Sequence, residues 1–472
     1  MFRNRRTRHL IFFLAVLLTL LASAPGLSRA QTQSHFSGSV PTGQATGTVL
    51  RLSLHDAFDR ALKYNLGAIE SDQDTRAAHA VRLRSLNALL PNLSARVSAS
   101  LEQINFKAQG LNISIPGVAI PIVVGPFGVT DARAYLSQEI FNWSDIQGWK
   151  SAAESEIASR YTYQSDRDLV VFTAGDAYLL VLSDLATVDS TRAQVTTAQT
   201  LYQQDADRNK HGLVASIDVL RAQVELQTEQ QRLIAAENQL AIDKLSLARV
   251  IGLPNGQEFE LTDSVPYAPL DGITLDQALR RAYSMRSDYL SDKAQVQAAE
   301  LALRASAAEN YPNISTATDY GDIGSPNFTS SHGTLDFAAA LNIPIFQGSR
   351  VRADKLQADS ALQQRKAELA DLGGKIDDDV RTAFYNLKSS SDLVAVARSN
   401  IDLANQTLAQ SRDRFAAGVA DNLEVVQAQE SVAVANQSYI ASLYSFNLAK
   451  ISLAQALGVA QQSALRYLLG GN

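Results

Sequence analysis

Apolar residues recur every seven positions in two long stretches of the chain, residues 213–251 and 419–457, neither of which contains Gly or Pro. The recurring residues are Val219, Leu226, Leu233, Leu240 and Leu247 in the first stretch and Val425, Val432, Tyr439, Phe446 and Leu453 in the second. A seven-residue repeat over four heptads is typical of helices that pack lengthwise, as in a coiled coil. Each stretch predicts an α-helix of about 58 Å.

Each of these stretches follows an even longer one. Residues 149–211 predict a helix of about 95 Å, and residues 349–417 predict a slightly longer one. Gly175 and the pair Gly373-Gly374 weaken these helices by on the order of 1 kcal/mol each relative to Ala. The predicted long helices are 146–210, 214–251, 348–416 and 420–457. Helices of this length are typical of coiled coils, rods and tunnel-shaped assemblies.

Shorter segments alternate apolar and polar residues with a period of two, which predicts β-strands with one apolar face. The apolar residues are Leu93, Ala95, Val97, Ala99 and Leu101 in the first strand and Leu335, Phe337, Ala339, Leu341, Ile343 and Ile345 in the last. Two hairpins are therefore predicted, at about 92–142 and about 313–346. Strands of about 9–11 residues with this alternation are typical of outer-membrane barrels. One such hairpin alone fits an ordinary half-buried sheet better, but two hairpins at duplicated positions, in a secreted chain of long helices, favour the barrel.

Four strands are too few to close a barrel. Unpaired strand edges are not tolerated in hydrocarbon, and eight strands is the usual minimum for a membrane barrel. Two chains would supply eight strands and three chains twelve. Strands in a membrane would therefore require an oligomer, but the strand pattern alone does not choose the number of chains.

The chain contains an internal duplication. Residues 52–61 return as 273–282, at an offset of 221, and residues 212–214 return as 418–420, at an offset of 206. The offset changes because the first copy has a longer loop between about 95 and 135. The predicted organisation is a first repeat at 50–253, a linker at 254–272, a second repeat at 273–460 and a C-terminal tail at 461–472.

The N-terminal segment has the order of a secretory signal peptide: four Arg within nine residues, an apolar run from Leu10, and small residues before Gln31. We expect a signal peptide over 1–30, cleaved after Ala30 or alternatively after Ala24, and a flexible leader over 31–49. Removing its five Arg changes the net charge from −6 to −11, and so acidic a chain argues against nucleic acid as a partner. No other window suggests a helical membrane span.

Composition narrows the possible chemistry. The chain has no Cys, which excludes disulfides, thiolate metal sites and an N-terminal lipid-modified Cys. The His residues lack the spacing of metal ligands, and the sequence has no Gly-rich phosphate loop and no Ser/His/Asp signature. We therefore expect no enzyme activity, no cofactor and no metal site.

Several short motifs follow one another along the chain. Each copy opens with Leu-x-Leu-x-x-Ala-x-x-x-Ala, although Ile273 replaces the first Leu of the second copy. The other motifs are Leu90-Pro91-Asn92-Leu93, Tyr311-Pro312-Asn313-Ile314, Asn342-Ile343-Pro344-Ile345-Phe346 and the helix turns at 211–220 and 417–426. In this order the motifs resemble the TolC family of outer-membrane efflux proteins, the outer-membrane factors of tripartite efflux and type I secretion systems, and the resemblance runs from Leu52 to about Val459.

The resemblance implies a mainly α fold with a small β part. Three chains would share a twelve-stranded transmembrane β-barrel, four strands from each, and their coiled-coil-like helices would form a periplasmic α-barrel. The protein would be a passive export duct in the lipid of the bacterial outer membrane. It would dock a periplasmic adaptor and, through it, an inner-membrane transporter of the RND, ABC or MFS type. The alternative is a periplasmic or surface coiled-coil structural protein without a pore.

In the family the adaptor docks at the helix-turn tips. The matching residues here are Gly212, Leu213, Val214, Gly418, Val419 and Ala420. Gly at these turns allows a long helix to reverse direction by adopting a positive φ. Turn geometry alone accounts for the glycines, and adaptor docking is an added role.

The resemblance also places a narrow periplasmic entrance at Asp218, Glu424 and Gln427. Rings of Asp218 and Glu424 carboxylates would favour cations, whereas Gln427 makes one ring uncharged. Asp218 and Glu424 also suit helix N-termini, where the helix dipole favours acids. Phe415 and Ala420 lack the hydroxyl and the positive charge that latch the closed entrance in relatives.

Overall fold

A computed structural model of the chain describes residues 35–110, 121–264, 267–269, 272–326, 330–420 and 422–469. The expected signal peptide, residues 1–30, lies outside the described residues. The helices are α1 Leu54–Tyr64, α2 Leu66–Asn87, α3 Trp143–Lys210, α4 Ser216–Val250, α5 Leu275–Met285, α6 Ser287–Ala308, α7 Arg350–Ala416, α8 Asn422–Ala456 and α9 Ala460–Leu469. The strands are β1 Leu50–Leu52, β2 Asn92–Asn105, β3 Val123–Phe141, β4 Phe259–Leu261, β5 Asn313–Gly324 and β6 Ser331–Asn342. The fold is mostly helical.

The seven-residue repeats follow the packed side of α4 and α8. All ten repeat residues are buried or half-buried, and Leu247 and Leu453 are completely buried. Leu220 and Ile234, each one position after a repeat residue, are exposed. The heptad pattern therefore predicts correctly which side of each helix is packed.

The chain forms two compact units, each assembled from three separate segments. Unit 1 consists of residues 1–69, 169–268 and 390–448, and unit 2 consists of residues 70–168, 269–389 and 449–472. Unit 1 holds both helix turns and the parallel pair β1–β4. Unit 2 holds the four-stranded antiparallel sheet.

In unit 1, the leader packs against the end of α1. The Asn65 side-chain amide donates a hydrogen bond to the Phe36 carbonyl at 2.6 Å, and the Leu66 N–H donates to the Gly38 carbonyl at 2.9 Å. The Phe36 ring also lies against Gly67. Backbone hydrogen bonds, a buried Asn and this ring therefore hold residues 36–42 against the rest of unit 1, contacts that the polar composition of the segment does not predict.

A buried tyrosine joins two distant segments within unit 1. The Tyr178 hydroxyl on α3 lies 3.2 Å from the Leu52 carbonyl and 3.3 Å from a carboxylate oxygen of Asp263. The Leu54 N–H donates to the same carboxylate at 2.6 Å. Burial next to this carboxylate raises the pKa of Tyr178, so its hydroxyl keeps its proton. These bonds fix β1 beside the segment that follows β4.

α3 contains an 18-residue window with a mean hydropathy of 1.6, long and apolar enough to cross a membrane. This finding differs from the expectation that no window beyond the N-terminus has that character. In unit 1, α3 buries Val170, Val171, Ala174, Tyr178, Leu179 and Val181, whereas Leu169, Phe172, Leu180 and Leu182 are half-buried, and 39% of the window is buried. The window therefore has the length and composition of a membrane span and is partly packed within unit 1.

In unit 2, the sheet has the order β2-β3-β5-β6, so β2 and β6 are its edges. The strands have 14, 19, 12 and 12 residues and are longer than the expected 9–11. β6 ends at Asn342, and Ile343 and Ile345, which the alternation places on the strand, lie beyond it. Pro344 has no N–H for a ladder hydrogen bond, which explains the early end.

The C-terminal segment of unit 2 is helical. Residues from 461 onward, expected as a tail, belong to α9 up to Leu469, and residues 470–472 lie outside the described part. Asp168 accepts a hydrogen bond from the Gln461 N–H at 2.7 Å, in the first turn of α9. Ala464 and Leu468 are buried. The segment is therefore a packed element of unit 2.

Candidate functional site

Both long helical pairs reverse direction at a glycine with a positive φ. Gly212 has φ +69° and Gly418 has φ +75°. Leu213 N–H donates to the Arg208 carbonyl at 2.9 Å, and Val419 N–H donates to the Arg414 carbonyl at 3.0 Å. Each glycine N–H also bonds the carbonyl three residues earlier, which completes a Schellman motif at the end of α3 and of α7. The turn geometry is the one that the sequence predicts.

The turns expose apolar side chains. Leu213 is 74% exposed and Val419 is 67% exposed. Ile217 and Leu423, in the first turns of α4 and α8, are also exposed. Apolar side chains gathered at an exposed turn are typical of a surface that contacts another protein.

Below the turns, within unit 1, an apolar cluster joins all four long helices. Leu201, Ala222 and Val425 form its buried centre, from α3, α4 and α8. Phe415 of α7 packs against this centre, and the Arg208 guanidinium lies 4.9 Å from the centre of the Phe415 ring. Phe415 thus has a packing role and a cation–π contact in place of a hydroxyl hydrogen bond.

A buried acid–amide pair lies next to this cluster. The Asn422 side-chain amide donates to the Asp205 carboxylate and, at 3.2 Å, to the Asp218 carbonyl. Asp205 is completely buried, and its burial raises its pKa to about 6. Among the described residues, the second oxygen of Asp205 and the Asn422 carbonyl oxygen have no hydrogen-bond partner. The pair links the first turn of α8 to α3 and α4.

The three residues matched to the entrance lie at the starts of α4 and α8. Asp218 is in the first turn of α4, and its carboxylate lies 3.3 Å from the Arg221 guanidinium. Glu424 is in the first turn of α8, 3.4 Å from the Arg414 guanidinium. Gln427 is exposed. Both acids therefore have an arginine partner in their own chain.

Sequence reasoning missed Asp205 and Asn422. The offset of 206 aligns Asp205 with Ser411 and Asn422 with Ser216, so neither side chain recurs in the other half. This asymmetry is visible in the sequence, but it does not single out these two residues, because the halves differ at many other positions. Among the described residues, no group of three or more His, Asp or Glu is placed to hold a metal ion.

Solved structures of similar fold include outer-membrane channels. A membrane protein from Pseudomonas aeruginosa has a TM-score of 0.74 at 18% identity, and the match covers 90% of this chain and 97% of that one. The CmeC outer membrane channel of Campylobacter jejuni has a TM-score of 0.73 at 14% identity, with 86% of each chain covered. At these identities the similarity establishes the fold.

Sequence similarity establishes the family. The outer membrane protein TolC of Escherichia coli (strain K12) is 23% identical over 355 residues, which cover 71% of each protein. The family described as outer membrane efflux protein matches residues 126–253 and 274–459. The alternative of a coiled-coil protein without a pore receives no support from these relatives. The chain therefore belongs to the outer membrane efflux protein family and is an export channel of the bacterial outer membrane.

Proposed function

We propose that three copies of the chain form one passive duct, with their four-stranded sheets joined into a twelve-stranded transmembrane barrel. The observation that carries the proposal is the sheet of unit 2, in which β2 and β6 each have only one strand partner among the described residues. Open sheet edges are not tolerated in hydrocarbon. β2 of one chain therefore pairs with β6 of the next.

The side chains of the edge strands support a lipid-facing surface. Apolar residues occupy every second position over much of both strands, and the large ones are exposed in the single chain: Leu93, Val97 and Leu101 on β2 and Leu335, Phe337 and Leu341 on β6. Exposed apolar side chains at every second position are the pattern of a barrel's outer face. Four strands per chain give eight strands in a dimer and twelve in a trimer. The TolC resemblance favours the trimer.

Cysteine cross-linking tests the proposed edge pairing, because the natural chain has no Cys and therefore no background. Ser98→Cys on β2 is combined with a single Cys at each position of β6 in turn. We expect oxidised bands up to a trimer and none larger, with efficient cross-linking limited to a few neighbouring β6 positions. Single-Cys chains are the control. Exclusive dimers, or uniform cross-linking along β6, would contradict the proposal.

The two halves of the chain support an origin by internal duplication. α1 and α5 each have 11 residues, α2 and α6 each have 22, and α4 and α8 each have 35. Both α1 and α5 begin with a capping box, at Ser53 and Thr274. In a trimer, six similar halves would then surround the duct.

The helix turns are the proposed docking tips for a periplasmic adaptor, which connects the duct to an inner-membrane transporter. Their exposed Leu213 and Val419 supply the apolar contact. Asp218, Glu424 and Gln427 are the proposed entrance residues. The duct has no energy source of its own in this proposal, so transport is driven by the transporter.

A further inference from the structure

Unit 1 contains a cavity of about 450 Å³ bordered by α3, α4, α7 and α8. Its polar lining includes Glu225 and Glu229 of α4, Arg412 of α7 and Gln429 of α8, and its apolar lining includes Leu408 and Val432. We call it the glutamate cavity. The entrance residues and the helix turns do not line it, so its role is separate from the export function proposed above.

Two nearly fully buried side chains in the glutamate cavity have polar atoms without partners. Glu229 is 2% exposed; its Oε1 lies 2.6 Å from the Arg232 guanidinium, and its Oε2 has no hydrogen-bond partner among the described residues. Gln429 is 8% exposed, and neither its Nε2 nor its Oε1 has a partner in that part of the chain. Buried polar atoms in folded proteins nearly always have a partner, since an unmade hydrogen bond is costly. A bound molecule with N–H donors would supply partners for the two acceptor oxygens, Glu229 Oε2 and Gln429 Oε1.

The charges of the glutamate cavity favour a cation. Glu225 and Glu229 are four residues apart on α4 and therefore share one helix face. Burial raises the pKa of both carboxyl groups, and the neighbouring charge of Glu430 raises both further. The carboxyl groups of Glu225, Glu229 and Glu430 supply three negative charges, and the guanidinium groups of Arg232 and Arg412 offset two of them. A ligand with one or two positive charges would relieve the remaining repulsion.

The residues that line the cavity indicate which kind of cation would bind there. In the described residues no group of three or more His, Asp or Glu is placed to hold a metal ion. Glu229 Oε2 and Gln429 Oε1 are acceptors suited to N–H donors, and Leu408 and Val432 suit methylene groups. We propose that the glutamate cavity binds a small protonated alkyl amine, with ammonium groups at Glu225 and Glu229 and its methylene chain against the apolar lining.

Binding would connect α4 to α8 through the ligand, because Glu229 and Gln429 lie on those helices. A ligand that binds only the folded chain stabilises it. The stabilisation grows with the logarithm of the ratio of the ligand concentration to the dissociation constant. Putrescine, a linear diamine, is therefore expected to raise the thermal unfolding temperature of the full-length protein in detergent. Calorimetric titration is expected to show one saturable site per chain.

Three variants test the assignment by calorimetric titration with putrescine. Glu225→Gln and Gln429→Ala each remove one contact to the ligand and are expected to weaken binding about tenfold or more. Arg232→Gln removes the cation that competes for Glu229, so binding is expected to strengthen. A purely structural role of these residues does not predict an increase in affinity. Circular dichroism checks that each variant is folded.

The matched controls are Gln230→Ala, which is exposed next to Glu229, and Glu237→Gln, which pairs with Arg192 and does not line the cavity. Both controls are expected to bind putrescine as the natural chain does. Stabilisation by NaCl equal to that by putrescine at matched ionic strength would mean that water and inorganic ions fill the cavity. That result, or titrations unchanged by Glu225→Gln and Gln429→Ala, would overturn the proposal.

Discussion

At the scale of single residues, Asp205 is a carboxyl group whose proton affinity depends on folding. Its pKa rises from 3.8 to about 6 because burial disfavours the charge. The folded chain therefore binds more protons than the unfolded chain between these values. The contribution of Asp205 to stability is fully present below pH 3.8 and is lost as the pH rises through about 6.

Asp205→Asn is expected to stabilise the protein at neutral pH. The variant removes the buried charge, and its amide supplies a donor for the unpaired Asn422 carbonyl oxygen. Since one pKa unit corresponds to about 1.4 kcal/mol, the gain has an upper limit of about 3 kcal/mol at pH 7. The difference from the natural chain should shrink as the pH falls towards 4. Thermal unfolding measured by circular dichroism at several pH values checks this.

The variant Asp207→Asn is the matched control for the variant Asp205→Asn. Asp207 is exposed and lies 2.9 Å from the Lys210 ammonium, whose hydrogen bond lowers the Asp207 pKa. This variant is therefore expected to be neutral or slightly destabilising at pH 7. A gain in stability equal to that of Asp205→Asn would contradict the role of burial.

Two glycines with the same backbone conformation have different surroundings. Gly458 and Gly418 have φ +70° and +75°. A Cβ at Gly458 would lie 2.6 Å from the Arg286 Cα, whereas a Cβ at Gly418 would meet no atom within 4 Å. Gly418→Ala should cost about 1–2 kcal/mol for the left-handed conformation alone. Gly458→Ala should cost clearly more, because it also displaces Arg286 from Asp288 and Asp379. Equal unfolding temperatures would rule out this steric explanation.

At the scale of helices, the first turns of α4 and α8 carry the proposed entrance acids. Removing both, as Asp218→Ala with Glu424→Ala, is expected to raise single-channel conductance in planar bilayers and to reduce cation preference. In the proposed entrance, the Asp218 and Glu424 carboxylates would narrow the duct and attract cations, although Arg221 and Arg414 moderate their charge. Glu237→Ala, an exposed acid on α4, is the control. Unchanged conductance and selectivity in the double variant would remove these residues from the entrance.

The sequence predicts helices more completely than strands or polar contacts. Heptads and two glycines locate the packed faces and the turns, because both signals are local. The expected strand length was too short for β3, which extends to 19 residues by pairing with both β2 and β5. The bond between Asn422 and Asp205 joins residues 217 positions apart. Periodicity carries no information about such a pair, because each residue looks like an ordinary polar position on its own helix.

At the scale of the whole molecule, the proposed docking of an adaptor at the helix turns makes export depend on contact with that adaptor. Leu213→Asp with Val419→Asp places charges on the exposed apolar turns. We expect at least a tenfold loss of export in cells, with the yield of the proposed trimer and the bilayer conductance unchanged. Ile234→Asp, at a site 68% exposed on α4 and away from the turns, is the matched control. Full export by the double variant would exclude docking through these side chains.

The division of unit 1 into three segments has a consequence for biogenesis. The hydrogen bond from the Tyr178 hydroxyl to the Leu52 carbonyl joins the first two segments, and the bond between Asp205 and Asn422 joins the second and third. Unit 1 therefore cannot be completed until residues 390–448 reach the compartment in which the chain folds. By then most of the chain has already arrived there. Contacts so distant in sequence form slowly, because a long loop must close before they contribute. The newly delivered chain thus spends its early lifetime with core residues exposed, and this interval is when it most needs protection from aggregation and proteolysis.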